Sequence, residues 1–326
     1  MAVKISPDYI DLLNKAVERE IQVSLQYILQ HAKMEKLVRR TLPENILLEK
    51  TTYDAVGKIL REISIQEMKH AAAIIERIYY LGGKASTKSS KITIGDSISE
   101  FAKLDVKAEE EAVTLYREII DTSGKMGDWE TRELFEKIYG EEEAHLFKFQ
   151  EYTKFQDEKE EPSKVPLPEW RKIYTEDYFA LLNKAISAEI AAIIQYTNQH
   201  EKMALLELRM KNTALETIAE TNKAAVVSKI LKETFMQEMD HLEKISERIY
   251  LLEGEATWKP DPLPVVGNNA QEFLVLDHAL ESSVITLFRQ IIAEALKRGD
   301  TLTRRMFEDI IIQEENHFWT FDDFVR

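Results

Sequence analysis

The chain has 326 residues, 44% hydrophobic and 31% charged, a balance that suits two ordinary domains of a soluble, largely helical protein. It contains no cysteine, which excludes disulfides, thiolate zinc sites, iron–sulfur clusters and cysteine nucleophiles and leaves metal chemistry to oxygen and imidazole. The net charge of −15 without a long basic run speaks against nucleic acid. Neither a membrane span of roughly 20 apolar residues nor a secretory leader is visible, so a cytoplasmic setting is expected.

Apolar residues at helical spacing predict helices over about 7–40 and 46–81, the second stopped by Gly82-Gly83. The run KASTKSSKITIGDS makes a long connection to a third helix over about 96–123. Ser123-Gly124-Lys125-Met126-Gly127 reads as a short turn into a fourth, over about 127–156, which makes the last two helices antiparallel neighbours. A charged run with Pro162, Pro166 and Pro168 then predicts an extended linker over 157–172.

Beyond the linker the pattern returns. LLNKAVEREIQVSLQYILQHAKM from Leu12 recurs as LLNKAISAEIAAIIQYTNQHEKM from Leu181, and KILREISIQEMKH from Lys58 as KILKETFMQEMDH from Lys229. The segment from Leu104 pairs with that from Leu276, and Leu134 onward with Met306 onward, at offsets that drift only from 169 to 172. TWKPDPLPVVGNN repeats the long crossover and Lys297 to Asp300 the last turn. The expected architecture is all-α: two four-helix bundles, residues 1–156 and 173–326, each with short, long and short links.

Four of the seven histidines have a glutamate three residues earlier: Glu67 and His70, Glu142 and His145, Glu238 and His241, Glu314 and His317. A single such pair is ordinarily a solvated surface pair. Two in separate helices of one bundle can present two carboxylates and two imidazoles to one metal cluster, since residues three apart share a helical face. The other two helices should each add an inward glutamate. Glu20 and Glu189 lie among apolar residues of the first helix, where an unpaired carboxylate would cost about several kcal/mol. On the third helix only Glu109 and Glu281 align between the repeats, because Glu110 and Glu111 face Ser282 and Ser283. Oxygen-rich sites with some nitrogen and no sulfur suit iron or manganese.

At these residues the chain resembles the bacterioferritin branch of the ferritin-like family over nearly all of both halves. The resemblance implies two di-iron sites per chain. In the first, Glu20 and His70 would be terminal ligands of one iron and Glu109 and His145 of the other, with Glu67 and Glu142 bridging. In the second, Glu189, His241, Glu281 and His317 would be terminal and Glu238 and Glu314 bridging. It further implies that Tyr27 and Tyr196 are near-site electron donors. Met68 and Met239 would be ligands of a haem b shared between the halves, packed as a pseudo-twofold dimer. Its expected chemistry is ferroxidase activity, the oxidation of Fe(II) by dioxygen or peroxide for iron storage or detoxification, in a monomer or a homo-oligomer. The rivals are a di-iron peroxidase or oxidase acting on peroxide or an organic substrate, and a non-enzymatic metal or haem scaffold. Departures from the family pattern bear on assembly: the interval from Glu20 to Glu67 is over a dozen residues longer, and a short fifth helix is not expected in either half.

Overall fold

A computed structural model describes residues 5–40, 46–154, 169–211 and 218–325, and every regular element among them is helical. The chain divides into two compact units, Met1–Glu161 and Pro162–Arg326. The first holds α1 (Pro7–Arg40), α2 (Ile46–Tyr80), α3 (Ile98–Met126) and α4 (Trp129–Tyr152). The second opens with a 3₁₀ turn, Glu169–Ile173, followed by α5 (Glu176–Lys211), α6 (Ile218–Leu251), α7 (Ala270–Arg298) and α8 (Thr301–Val325). No described helix is long and apolar enough to cross a membrane.

Within each unit the first two helices pack as a pair and the last two as another, and the long connection crosses between the pairs. Asn14 fixes the first connection, donating from Nδ2 to the Lys84 carbonyl at 3.0 Å and accepting the Ser86 N–H at 2.7 Å. Asn183 does the same for the second, with Glu255 and Thr257 at 3.0 and 2.7 Å. The third helices start on side-chain caps: Ser97 accepts from the Glu100 N–H and Asn269 from the Glu272 N–H.

Three boundaries differ from the sequence expectation. The helix runs through Ser123 and Gly124 to Met126 and stops at Gly127, whose φ of 74° is left-handed. The Asp128 N–H closes on the Ser123 carbonyl at 2.9 Å, so the reversal needs only two residues. The helix following it ends at Tyr152 rather than 156, and residues 155 and 156 fall outside the described part. Of the expected extended linker, residues 157–168 also fall outside it. Glu169–Ile173 form a 3₁₀ turn instead, held where Arg298 Nη1 donates to the Ile173 carbonyl at 2.7 Å.

One polar knot recurs at the same end of both bundles. Asp128, the N-cap of α4, accepts from the Thr131 N–H and hydroxyl at 3.2 and 2.6 Å, from Arg77 Nη2 of α2 at 2.5 Å and from the Tyr9 hydroxyl of α1 at 3.0 Å. Asp300 repeats it with Thr303, Arg248 and Tyr178. One carboxylate thus joins three helices. Asp128→Ala removes the cap and the buried carboxylate of the Arg77 guanidinium, which is left with Glu130 and Thr131, so chemical denaturation should show a loss of about 2 kcal/mol. Asp300→Ala should cost the second unit a similar amount.

Candidate metal centre

The helices that build each core also turn charged side chains inward. Glu20, Glu67, Glu109 and Glu142 come from α1, α2, α3 and α4 respectively, and none is more than 1% exposed. His70 and His145 lie beside them, 6% and 2% exposed. Glu67 and Glu142 belong to two overlapping groups, one with Glu20 and His70 and the other with Glu109 and His145. Within each group the candidate ligand atoms lie within 4.8 Å of one another. In the second unit Glu238 and Glu314 are shared in the same way, between Glu189 with His241 and Glu281 with His317.

Both imidazoles aim Nδ1 at the shared carboxylates. His70 Nδ1 lies 2.9 Å from Glu67 and 3.0 Å from Glu142, while His145 Nδ1 lies 2.9 Å from Glu67 and 3.4 Å from Glu142. His241 Nδ1 stands 2.8 and 2.7 Å from Glu238 and Glu314, and His317 Nδ1 3.1 and 3.7 Å from the same two. Three of the four far nitrogens are occupied. Nε2 of His70 meets Glu141 at 2.7 Å, that of His241 meets Gln313 Oε1 at 3.0 Å, and that of His317 meets Gln237 Oε1 at 2.5 Å. With an amide oxygen accepting the Nε2 proton, Nδ1 of a neutral ring offers the cluster a lone pair, as a metal ligand must.

Four buried carboxylates in each half call for more positive charge than two imidazoles and, in the first half, the neighbouring Arg19 supply. Glu20 Oε2, Glu67 Oε1, Glu109 Oε2, Glu142 Oε1 and His145 Nδ1 are buried and make no well-aligned hydrogen bond among the described residues, although His145 Nδ1 faces Glu67 Oε1 and His70 Nδ1 faces Glu142 Oε1. Glu189 Oε1, Glu238 Oε1, Glu281 Oε2, Glu314 Oε1 and His317 Nδ1 are likewise buried without a well-aligned hydrogen bond. Five open donor atoms per half, hard oxygen with imidazole nitrogen, fit a pair of divalent cations. Without metal, protons take that role. Burial, then the neighbouring Glu142 and Glu67, push the Glu109 carboxyl well above its usual range, and burial with Glu314 and Glu238 does the same to Glu281. Burial works against an imidazolium, yet the carboxylates prevail and raise His145 and His317 to about 9.

The tyrosines named from the sequence sit against the third-helix glutamates. The Tyr27 hydroxyl donates to Glu109 Oε1 and that of Tyr196 to Glu281 Oε1, both through short bonds. Burial, reinforced by Glu109, holds the Tyr27 hydroxyl well above the usual phenol range, so it stays protonated. Met68 and Met239 are buried, next in sequence to Glu67 and Glu238 and so turned about 100° from the metal face. Sequence reasoning missed Tyr116, whose hydroxyl donates to Glu20 Oε1 through a short bond. It lies seven residues after Glu109 on the same face, but Phe288 replaces it in the second half and a search for shared residues discards it. Glu141 was missed for the same reason, its counterpart being Gln313.

The comparisons with known proteins follow the duplication. The ferritin-like domain matches residues 10–155 and again 179–326. A bacterioferritin of Desulfovibrio desulfuricans is 32% identical over 138 residues, 42% of this chain and 69% of that protein. The bacterioferritin of Brucella melitensis is 30% identical over 145 residues, 44% of this chain and 81% of its own length. Among solved structures, Rhodobacter capsulatus bacterioferritin, determined with a metal-free dinuclear site and a haem iron, is 28% identical. It covers 46% of this chain and 86% of its own, with a TM-score of 0.40.

A metal bound here would compete with protons for the same atoms, which fixes the expected pH dependence. Groups with raised affinity for protons must release them on metal binding, so divalent-metal affinity should fall in acid and keep rising from pH 7 to about 9, where His145 and His317 lose their protons. Calorimetry of Co(II) binding in buffers of different ionisation enthalpy should show net proton release. Binding that is independent of pH would contradict the competition.

Proposed function

We propose that this chain, which belongs to the ferritin-like family, is a ferroxidase with one two-iron site in each half. The observation that carries the reading is the sharing of Glu67 and Glu142, and of Glu238 and Glu314, between two adjacent groups of donors. A carboxylate common to two groups can bridge two ions, and four glutamates per half balance the four charges of two Fe(II). Glu20 with His70 and Glu109 with His145 complete the pair in the first half, Glu189 with His241 and Glu281 with His317 in the second. The bacterioferritin relatives support iron as the metal.

Iron(II) is the substrate. Two Fe(II) give up one electron each, and the two electrons with two protons convert one peroxide to two waters; dioxygen needs twice as many. The residues supply position, charge and proton traffic, while the redox chemistry belongs to the metal. The protons carried by Glu109, Glu281 and the imidazoles in the metal-free state are displaced as iron enters. Tyr27 and Tyr196, each one hydrogen bond from a ligand, orient Glu109 and Glu281 and stand where a one-electron donor would act.

Anaerobic titration should saturate at four Fe(II) per chain, and mixing with dioxygen or peroxide should give a fast rise in ferric absorbance. Glu67→Ala should halve its amplitude, and Glu67→Ala with Glu238→Ala should abolish it. Tyr27→Phe should keep iron binding and slow the reaction about tenfold or less, within the range of changes to residues that orient a ligand. Sustained peroxide turnover with a reductant and no retained ferric iron would instead favour a peroxidase. In this reading Met68 and Met239 are each a candidate thioether ligand for a haem. Added haemin should give a six-coordinate Soret spectrum that Met68→Leu removes, and failure to bind haemin would strike haem from the assignment.

A further inference from the structure

The two centres share their ligands, but the side chains around the first-helix ligand differ in three linked ways. Arg19, next to Glu20, is 8% exposed, and its Nη1 reaches Glu111 Oε2 of α3 at 3.5 Å. Burial opposes its charge, and the Glu109 and Glu20 carboxylates sustain it. The Tyr116 hydroxyl donates to Glu20. In the second half Ala188 replaces Arg19, Ser283 replaces Glu111 and Phe288 replaces Tyr116.

These exchanges change space and restraint together. Phe288 packs edge-on against Phe307 at 5.0 Å, as Tyr116 packs against Phe135 at 5.3 Å, so the ring is kept and only the hydroxyl is lost. Ser283 turns its hydroxyl back to the Leu280 carbonyl of its own helix at 2.7 Å and makes no bridge to α5. Where the guanidinium would lie, a cavity of about 250 Å³ opens between α5, the crossover and α7, lined by Ala188, Ser283, Val284, Lys184 and Asp261. None of the candidate ligands lines it; Ala188 and Val284 of its lining stand one residue before Glu189 and one helical turn after Glu281 in sequence. Its outer residues Lys184, Asp261 and Ser283 are exposed.

We propose that the second-half centre exchanges divalent cations directly with solvent through this lateral cavity. The first-half centre, with Arg19 across the equivalent position and Glu20 held by Tyr116, retains its ions. The inference rests on the two-metal reading of both sites. In the second half Phe288 has no hydroxyl to hold Glu189 as Tyr116 holds Glu20, so the Glu189 carboxylate is freer to swing toward an incoming ion. In the first, Glu20 cannot move without breaking its tyrosine bond, and Arg19 and Glu111 must part before an ion passes between α1 and α3.

The test is release of Co(II) from the loaded full-length chain to excess EDTA, followed by the cobalt absorption bands. Release should be biphasic with equal amplitudes, the phases at least about tenfold apart, in line with what outer residues do to metal sites. His241→Ala with His317→Ala should delete the fast phase, and His70→Ala with His145→Ala the slow one. Ala188→Arg with Ser283→Glu should slow the fast phase, and Arg19→Ala with Glu111→Ser should speed the slow one. Tyr116→Phe, which removes a single oxygen and keeps the packing, provides the same test should the double exchanges fail to fold. A single phase, or phases that none of these substitutions moves, overturns the proposal while leaving the two-metal reading intact. No cobalt bound in either half overturns both.

Discussion

Everything in each bundle is arranged around four carboxylates that have been taken out of water side by side. Moving one ionised carboxylate into a protein interior costs about several kcal/mol even after relaxation, and four together repel one another. No packing of leucines and tyrosines repays that cost. The helices tolerate it because two imidazoles enter the same space with Nδ1 inward and because the remaining donor atoms stay open toward a common centre. The bundle is therefore folded around a deficit of positive charge, which protons fill in the metal-free state and a pair of divalent cations would fit.

The deficit must be met without collapse, and the ends of the bundle carry that load. The Arg77–Asp128–Tyr9 knot and its copy around Asp300 tie three helices at one pole, away from the metal ligands in sequence. Asn14 and Asn183 clamp the long connections across the helices. With these points fixed, the inward glutamates cannot separate to relieve their repulsion by splaying the helices. Tyrosine hydroxyls on Glu109, Glu281 and Glu20 hold individual carboxylates in the same way. Rigidity of this kind keeps an ion pair's donors at fixed separation before any ion arrives.

Much of this was legible in the sequence because the repeat acts as a filter. Helices one to three of the first half were located within a few residues, and Glu109 was separated from Glu110 and Glu111 only because Glu281 answers it. The filter fails wherever the function lies in a difference. Tyr116, Arg19 and Glu141 touch or adjoin the first centre, yet Phe288, Ala188 and Gln313 stand opposite them and hid them from the comparison. The turn after α3 was misread for another reason. Ser123 and Gly124 look like a break by composition, but the Ser123 hydroxyl bonds back to the Ile119 carbonyl and stays within the helix, leaving Gly127 to supply the left-handed residue.

Duplication with divergence explains why a chain would keep two copies of one site. Two identical centres would load and discharge together, and their combined behaviour would be that of one centre at twice the concentration. Once the residues behind Glu20 and Glu189 differ, two sites built from the same six residues would hold metal on different time scales. The differences lie outside the ligand set: a guanidinium and its partner carboxylate removed, one hydroxyl lost, and a carboxylate behind His70 exchanged for the amide behind His241. None touches the glutamates shared between the two donor groups, so both halves keep the donor set proposed to hold two cations. The ligands fix which chemistry is possible, and the unshared neighbours set how readily each centre takes part in it.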